Sequence, residues 1–558
     1  MRRIRRFLVP FILVICLFSQ ASACSLLFVG GDFTDDGANL FVRVEDGDLN
    51  DENKLYLVSP AGKHKAGEEY HGRCGYTWTF THDSYRYVSR RDDNLLGLCP
   101  DCESTHDHQP FEEAGTNEHG LTVTATQSLD ATPAVRAVDP YLDEGLSEGE
   151  IVTILLSECK NAREAVELLK SMVETAGLHA EGFGVMLCDQ NEQWYAEAVA
   201  SHYFLAMPLP KDVVFFQANV SVLGRIDLDD ERIVATDGII ELAQKAGTFV
   251  GDTEENIIDW RLSLNDYKVE ILPKTWQNNV FERVSLTLNR LEETEKWNTE
   301  NAMETNDYIM TNVSKDGTIV PLHNDVKLTR SISLDSLLEL LRIYPLGYWE
   351  NVETHLYRFY PEAEPELGTV EWSSMDNNQY NVFVPDYPVL MTDTWKGYRT
   401  GLRHAQLMAQ DPEFWQQFID GFEIEKLDGD TPDTADCYQM AGVWYCCFLN
   451  RDWTGLWHVL PEGWENSYSA VFSALSNRLT FMDPGEEAIT LVKDRFAALQ
   501  QVFETRFSDL TTRLKAEKDL TARQEIATGE SSRMAEEAQD LALALYRHIV
   551  YGEALPEE

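Results

Sequence analysis

Basic residues are scarce in this chain of 558 residues, which has 46 lysines and arginines against 94 aspartates and glutamates. The net charge of −48 repels nucleic acid and anionic membrane surfaces, so neither is an expected partner. A heavily solvated surface explains this charge better than an acidic binding function does. The apolar run at residues 7–18 is about 12 residues long, whereas a membrane span needs roughly 20.

Two common catalytic motifs are also missing. The chain has no H-E-x-x-H helix and no G-x-x-x-x-G-K loop, so neither zinc-peptidase nor P-loop chemistry is expected. The pair Cys99 and Cys102, followed by His106 and His108, looks like a metal or redox motif. No second ligand pair lies at zinc-finger spacing, so we expect a disulfide or structural role, with a metal as the alternative. We therefore predict no metal and no cofactor.

The first 23 residues have the order of a secretory signal peptide. Four arginines within residues 2–6 precede the apolar run, and Ala21-Ser22-Ala23 forms a small-x-small cleavage site. Cleavage after Ala23 would leave 535 residues beginning with Cys24 and, because four arginines leave, would change the net charge from −48 to −52. We expect a secreted or periplasmic protein without a membrane span.

A cysteine just after a cleavage site is also where bacterial lipoproteins are acylated. Ala23 and Ser22 suit that pattern, and Ala21 fits it less well because leucine is usual there. Acylation would block both the amine and the sulfur of Cys24. A lipid-anchored binding protein is therefore the alternative from a different functional class.

The other cysteines suggest an oxidising compartment without defining a pairing. Once Cys16 has left with the signal peptide and Cys24 is set apart, eight remain, at positions 74, 99, 102, 159, 188, 437, 446 and 447. An even number is compatible with disulfides, but eight cysteines allow up to 105 pairings.

Strands dominate the pattern after Cys24. Apolar runs predict strands at residues 25–29 and 39–44, and a turn at 34–37 joins them into a hairpin with Cys24 at a sheet edge. Further strands are predicted at residues 54–58, 75–80 and 121–126. A second block of strands is predicted at residues 183–189, 193–200, 202–209 and 212–220.

Between these blocks lie two helices with N-terminal capping signals. Ser147 with Glu150 and Asn161 with Glu164 each predict a capping box, and the second helix stops at Gly177. Helices alternating with blocks of antiparallel strands predict an α+β fold, in which helix layers cover two antiparallel sheets packed face to face.

The last third of the chain is mainly helical. Asp483 as N-cap and Pro484 at the first position predict a long amphipathic helix, and a second helix is predicted at residues 534–550. Acidic residues interleave throughout, so packing against the same chain or a partner subunit is favoured over a membrane-surface role. A homo-oligomer is compatible with this pattern.

We divide the chain into a signal peptide (1–23), a catalytic domain (24–395) and a C-terminal helical region (396–558).

An N-terminal cysteine would carry a nucleophile and a base in one residue. An α-amino group titrates near 8, so a useful fraction is unprotonated at neutral pH. The amine can take the thiol proton and later pass it to the leaving nitrogen, without a separate histidine.

Several motifs resemble one family in order and spacing. They are CSLLFVGGDFTDDGANLFVRVED at 24–46, GTNEHGLTVTATQS at 115–128, FFQANVSVLGRIDL at 215–228 and, more weakly, GTVEWSSMDNNQYNVFVP at 368–385. Over most of residues 24–395 the chain resembles dipeptidases of the PepD/secernin type. These are cysteine N-terminal nucleophile hydrolases related to bile salt hydrolases and penicillin V acylases. The resemblance implies a four-layer αββα sandwich.

The resemblance also implies a set of site residues. Cys24 would be the nucleophile, and Arg43 and Asp46 would lie beside it, the guanidinium favouring the thiolate and the carboxylate orienting the amine. Taken alone, Arg43 and Asp46 could form a surface ion pair at a strand end. Asn117 and Asn219 would donate hydrogen bonds to the reacting carbonyl.

Both asparagines have a second interpretation. Asn117 could be a turn residue before Gly120, and Asn219-Val220-Ser221 also reads as a glycosylation acceptor, which would require exposure.

The chain departs from the family where Cys24-Ser25-Leu26 replaces a threonine-rich start and where IYPLGYWENVETHLYRFYPE stands at 343–362. These departures bear on substrate choice more than on reaction type.

We thus expect an exported dipeptidase that hydrolyses small peptides through a thioester at Cys24. The alternative within enzymes is an N-acyl amide hydrolase of the bile salt or penicillin V type.

We predict that the exported protein begins with an unmodified Cys24. The intact mass of the N-terminal peptide checks this, because cleavage after Ala23 gives a free cysteine and acylation adds a diacylglyceryl mass. A lipid adduct on that peptide would contradict the enzyme mechanism and support the lipoprotein.

Overall fold

The structure is a computed structural model. It describes residues 24–46, 52–72, 74–94, 112–265, 331–348, 351–393, 464–481 and 484–556, with short stretches inside 282–291, 312–320 and 437–446. The predicted signal peptide, the Cys99 and Cys102 motif and the predicted cap Asp483 lie outside the described residues.

Among the described residues up to 393, more lie in strands than in helices. In chain order they are β1 (Ser25–Val29), β2 (Asn39–Asp46), β3 (Glu52–Ser59), β4 (Glu69–His71), β5 (Thr77–Thr79), β6 (Tyr87–Asn94), β7 (Glu112–Asn117), β8 (Thr122–Leu129), β9 (Gly182–Cys188), β10 (Gln193–Val199), β11 (Tyr203–Pro208), β12 (Val214–Gln217), β13 (Arg225–Asp227), β14 (Val234–Ala235), β15 (Gly251–Asp252), β16 (Ile257–Asp259), β17 (Asn312–Val313), β18 (Ile319–Val320), β19 (Asn351–Phe359), β20 (Thr369–Met375), β21 (Val384–Asp386), β22 (Cys437–Met440) and β23 (Val443–Cys446).

Helices lie between the strand blocks and at the C-terminal end. They are α1 (Pro133–Arg136), α2 (Glu148–Glu158), α3 (Ala162–Ala176), α4 (Ile239–Ala246), α5 (Trp260–Leu264), α6 (Leu334–Leu341), α7 (Tyr468–Phe481), α8 (Glu486–Ala516) and α9 (Leu520–Tyr551).

Two large sheets form the centre of the fold. One has the strand order β12-β1-β2-β19-β20-β21, and the other has the order β14-β11-β10-β9-β8-β7-β6-β3. All neighbours in both sheets pair antiparallel. Strands β1 and β2 form the predicted hairpin, but β1 also pairs with β12, so the strand that follows Cys24 lies inside the sheet and not at its edge.

The sheets face each other, and helices cover their outer faces. Val123, Phe183 and Val185 of the eight-stranded sheet share an apolar cluster with α2 and α3. On the other side of the molecule, Trp372 of the six-stranded sheet packs against Phe507 of α8. This is the four-layer αββα arrangement that the sequence resemblance implies. The C-terminal helices α8 and α9 share one apolar core with β1 and β2. The predicted domain boundary at residue 395 lies outside the described residues and stays a prediction.

Most predicted elements are present, and the differences lie at their ends. Ser147 and Glu150 form the predicted capping box, whereas Asn161 caps α3 alone because Glu164 accepts from the nitrogen of Lys160 instead. The strand predicted at 212–220 ends at Gln217. In the C-terminal region, α8 begins at Glu486 after Gly485, and α9 is longer than predicted and begins at Leu520.

Replacing Phe507 by alanine should destabilise the protein by about 3–5 kcal/mol, because it removes a large buried ring. The Phe507 ring centroid lies 5.4 Å from that of Trp372 and 5.0 Å from that of Tyr387, so the helix layer would lose its contact with the sheet. Chemical denaturation measures the loss. Val502→Ala, at a 42% exposed position of the same helix, is the control and should change stability little. Equal losses for the two variants would contradict this packing.

Candidate active site

Cys24 directly precedes β1 and lies between the two large sheets. Its side chain is 5% exposed. Directly opposite residues of an antiparallel pair point to the same face of a sheet, and Leu26 is opposite Arg43. Because alternate residues share a face, Cys24 and Leu26 point to the same side as Arg43 and Glu45. This side faces the eight-stranded sheet, since Arg43 contacts Glu113 of β7.

The guanidinium of Arg43 lies beside the thiol. Its Nη2 lies 3.8 Å from Cys24 Sγ. Four carboxylates surround the same guanidinium, at 2.9 Å for Glu45, 2.6 Å for Glu113, 3.4 Å for Glu353 and 3.9 Å for Glu148. The side chain of Arg43 is 1% exposed, so the prediction of a surface ion pair at a strand end is wrong.

The electrostatics hold the thiol protonated. Burial is the main cause that raises the pKa of the Cys24 thiol to about 12; Arg43 opposes it, while Glu45, Glu148 and Asp46 add to it. Burial also disfavours the charge on Arg43, but the surrounding carboxylates outweigh it and keep the pKa of Arg43 well above its ordinary value. This describes the uncleaved chain, in which the nitrogen of Cys24 is an amide.

Arg283 brings together three of the residues predicted from the sequence. Its Nη1 donates to the carbonyl oxygen of Cys24 at 3.2 Å and lies 3.4 Å from Asp46 Oδ2, and its Nη2 lies 3.4 Å from Asn219 Oδ1. The same Nη1 donates to Ser25 Oγ at 2.9 Å. The sequence does not predict Arg283 as a site residue, because no motif marks it and the resemblance weakens after residue 230.

Asn219 adopts a left-handed backbone conformation just after β12, with φ of +53°. It is 2% exposed, so its amide is not accessible to glycosylation in the folded chain. Glu197 fixes the loop that follows by accepting hydrogen bonds from the nitrogen of Val222 at 2.7 Å and from Ser221 Oγ at 2.5 Å. Trp260 Nε1 also donates to Glu197, at 2.9 Å.

Asn117 is the last residue of β7, directly before the turn to β8. Its Nδ2 donates to the carbonyl oxygens of Leu156 and Cys159 at 3.0 and 2.7 Å, and its Oδ1 accepts from the nitrogens of His119 and Leu121. These bonds tie the turn to the end of α2. They match the turn interpretation, and a role for this amide at the reacting carbonyl stays a prediction.

A chain of buried charges continues from Arg43 along the six-stranded sheet. Glu353 Oε1 lies 2.6 Å from His355 Nε2, and Glu371 Oε1 lies 2.8 Å from His355 Nδ1. Burial alone would lower the pKa of His355, but the two carboxylates raise it. Arg90 of the facing sheet ends the chain at 2.7 Å from Glu371. Glu353 and His355 lie in the segment that departs from the family motifs.

Two other chemistries find no support in the described residues. Gly145-Leu146-Ser147-Glu148-Gly149 fits the G-x-S-x-G pattern of serine hydrolases, but Ser147 is the N-cap of α2 and its Oγ donates to Glu150. In the described part of the chain, no group of three or more His, Cys, Asp or Glu side chains could hold a metal ion. Within the same residues, no helix is both long and apolar enough to cross a bilayer.

The stacked antiparallel sheets between helix layers form the four-layer fold of N-terminal nucleophile hydrolases. Within this class, residues 23–277 match the model of peptidase family C69, so the predicted family relationship is confirmed for that region.

Several curated proteins similar to this chain are named as probable dipeptidases. A probable dipeptidase B of Streptococcus pyogenes serotype M18 is 33% identical over 236 residues, covering 42% of this chain and 45% of the relative. A probable dipeptidase of Salmonella dublin is 32% identical, covering 41% of this chain and 50% of the relative. The chain thus spans about half the length of these relatives. A probable dipeptidase B of Lactococcus lactis is 23% identical over 68% of this chain and 77% of its own length.

Among solved structures, the chain is similar to a penicillin V acylase from Agrobacterium tumefaciens, with 12% identity and a TM-score of 0.26 over 63% of this chain and 82% of that one. A conjugated bile acid hydrolase variant from Clostridium perfringens gives 11% identity and a TM-score of 0.26, over 65% and 92%. These likenesses are slight, and the fold rests on the sheets and helix layers described above.

Replacing Glu148 by glutamine should make Cys24 more reactive in the uncleaved chain. Glu148 raises the pKa of the thiol, so its removal lowers that pKa and increases the thiolate fraction at any pH below it. A fall of about half a pKa unit would speed alkylation roughly threefold.

Iodoacetamide labelling at pH 8–9, followed by mass spectrometry of the Cys24 peptide, measures this rate. Glu174→Gln, which changes a surface carboxylate on α3, is the control. An unchanged or slower rate in Glu148→Gln would contradict the electrostatic assignment.

Proposed function

We propose that the mature chain is an exported cysteine-type dipeptidase with Cys24 as its nucleophile. The observation that carries this proposal is the placement of Cys24 before β1, with Arg43 3.8 Å from the sulfur and Arg283 bonded to the carbonyl oxygen of Cys24. The match of residues 23–277 to peptidase family C69 and the names of the similar proteins support peptide hydrolysis.

Cleavage after Ala23 supplies the base for the reaction. The new α-amine takes the thiol proton, and the thiolate attacks the substrate carbonyl carbon to form a tetrahedral oxyanion. When the C–N bond breaks, the ammonium returns the proton to the leaving nitrogen and a thioester remains. Water, deprotonated by the same amine, then hydrolyses the thioester. Before cleavage the nitrogen is an amide and cannot accept the proton.

The surrounding residues have distinct roles in this mechanism. Arg43 favours the thiolate form of Cys24. Asp46, held by Asn351 Nδ2 at 2.7 Å, helps to orient the α-amine. Asn219 donates to the oxyanion through Nδ2, because the contact of its Oδ1 with Arg283 fixes the orientation of the amide.

The charge around the thiol favours dipeptides over N-acyl amides. Four glutamates surround the guanidinium of Arg43, so the surroundings of the thiol carry an excess of negative charge even with Arg283 on the Cys24 carbonyl. A dipeptide brings an α-ammonium next to its scissile carbonyl, and that cation complements the glutamates. An N-acylated substrate such as a bile salt or penicillin V has no cation there.

Cys24→Ser should cut the turnover of alanyl-alanine by several orders of magnitude with the fold intact, because a serine hydroxyl is a weaker nucleophile than a cysteine thiolate. Cys24→Ala should be inactive. The measurement is amine release from dipeptides by the purified mature chain, with N-acyl amino acids assayed in parallel. An uncleaved chain should also be inactive.

Cys159→Ala is the matched control, because it removes another buried thiol, at the C-terminal end of α2, and should keep most of the activity. Full activity of Cys24→Ala would overturn the nucleophile, and full activity of the uncleaved chain would overturn the amine as base. Cleavage of N-acyl amino acids but not dipeptides would favour the acylase instead.

A further inference from the structure

Gln217, the last residue of β12, is fully buried, with an exposed fraction of 0%. Neither its Oε1 nor its Nε2 has a hydrogen-bond partner among the described residues. Burying a carboxamide without partners is costly, and native structures seldom leave such a group unbonded without a reason. A ligand that binds there would supply the missing bonds.

Gln217 and the candidate nucleophile Cys24 are close together on the same face of the six-stranded sheet. Gln217 is directly opposite Leu26, which is in turn opposite Arg43 on the next strand. All three side chains therefore point to the face that carries the Cys24 thiol. Gln217 is diagonal to Cys24 across the β12–β1 pair, a relation that separates side chains by about 7–8 Å.

Charge is distributed unequally on the two sides of Cys24. On the β2 side lie the carboxylates of Glu45 and Glu353, and Glu113 faces them from the other sheet. On the β12 side lie the uncharged carboxamides of Gln217 and Asn219, and the guanidinium of Arg283 lies 3.4 Å from Asn219 Oδ1. The α-ammonium of a dipeptide complements the β2 side, so its carboxylate end is directed toward β12.

We propose that Gln217 binds the C-terminal residue of the dipeptide, on the leaving side of the scissile bond. Nε2 donates to the substrate carboxylate, and Oε1 accepts from the N–H of the scissile amide. One residue of the substrate thus satisfies both atoms. An α-ammonium offers donors only and would leave Nε2 unbonded, which is why the carboxylate end is assigned to this side. This assignment rests on the proposed dipeptidase function.

The test compares two substrates that share an acyl group. Alanyl-alanine has the carboxylate, and alanine 4-nitroanilide lacks it. In Gln217→Leu the ratio of kcat/KM for the dipeptide to that for the anilide should fall about tenfold, the effect of losing one hydrogen bond to a charged group. Gln217→Glu keeps the size of the side chain but repels the carboxylate, so the ratio should fall at least as far.

Ser157→Ala provides the control, because it removes a buried hydroxyl of α2 that also has no hydrogen-bond partner in the described part of the chain, and it should leave the ratio unchanged. The Tm of Gln217→Leu should be equal to or higher than that of the wild type, since the free protein loses no hydrogen bond. A marked fall in Tm would overturn the inference.

The outcomes separate this inference from the proposed function. An unchanged ratio in both Gln217 variants, with active wild-type protein, overturns the role of Gln217 alone. Wild-type protein that hydrolyses neither substrate overturns the dipeptidase proposal and this inference with it.

Discussion

The centre of the molecule depends on one buried cation. Arg43 projects from the second strand of the six-stranded sheet into the space between the sheets, where a guanidinium without partners would be prohibitively expensive. It is matched by carboxylates from three directions: its own sheet, the facing sheet through Glu113, and the start of α2 through Glu148. The register of both sheets and the placement of that helix must therefore agree for the charge to be compensated.

The same requirement extends along the sheet interface. Arg43, Glu353, His355, Glu371 and Arg90 alternate in charge, and each member compensates its neighbours. Removing one partner of such a buried set typically costs about 3–5 kcal/mol, because the remaining charge stays buried. The interface between the sheets is thus polar at its centre and apolar around it. The thiol of Cys24 lies in its polar part, next to Arg43 and the carboxylates that surround it.

The sequence contains enough to predict the sheet and helix pattern and part of the site. Short apolar runs indicate β1, β2 and β9 to β11, and the Ser147 capping box indicates α2, because these signals act over a few residues. The partners of Arg43 are different, since Glu113, Glu148 and Glu353 lie far apart in the chain. Only the packing of two sheets and a helix brings them together. For the same reason the position of Arg283 and the bonding of Asn117 could not be read from local patterns.

The elevated pKa of Cys24 also bears on the survival of the thiol. Oxidants and disulfides react with the thiolate, so a buried sulfur that stays protonated reacts slowly with both. A chain entering an oxidising compartment with several other cysteines would therefore keep this one out of mispaired disulfides and sulfenic acids while it folds. If the chain is exported and cleaved as proposed, burial and the nearby glutamates would protect the thiol until cleavage.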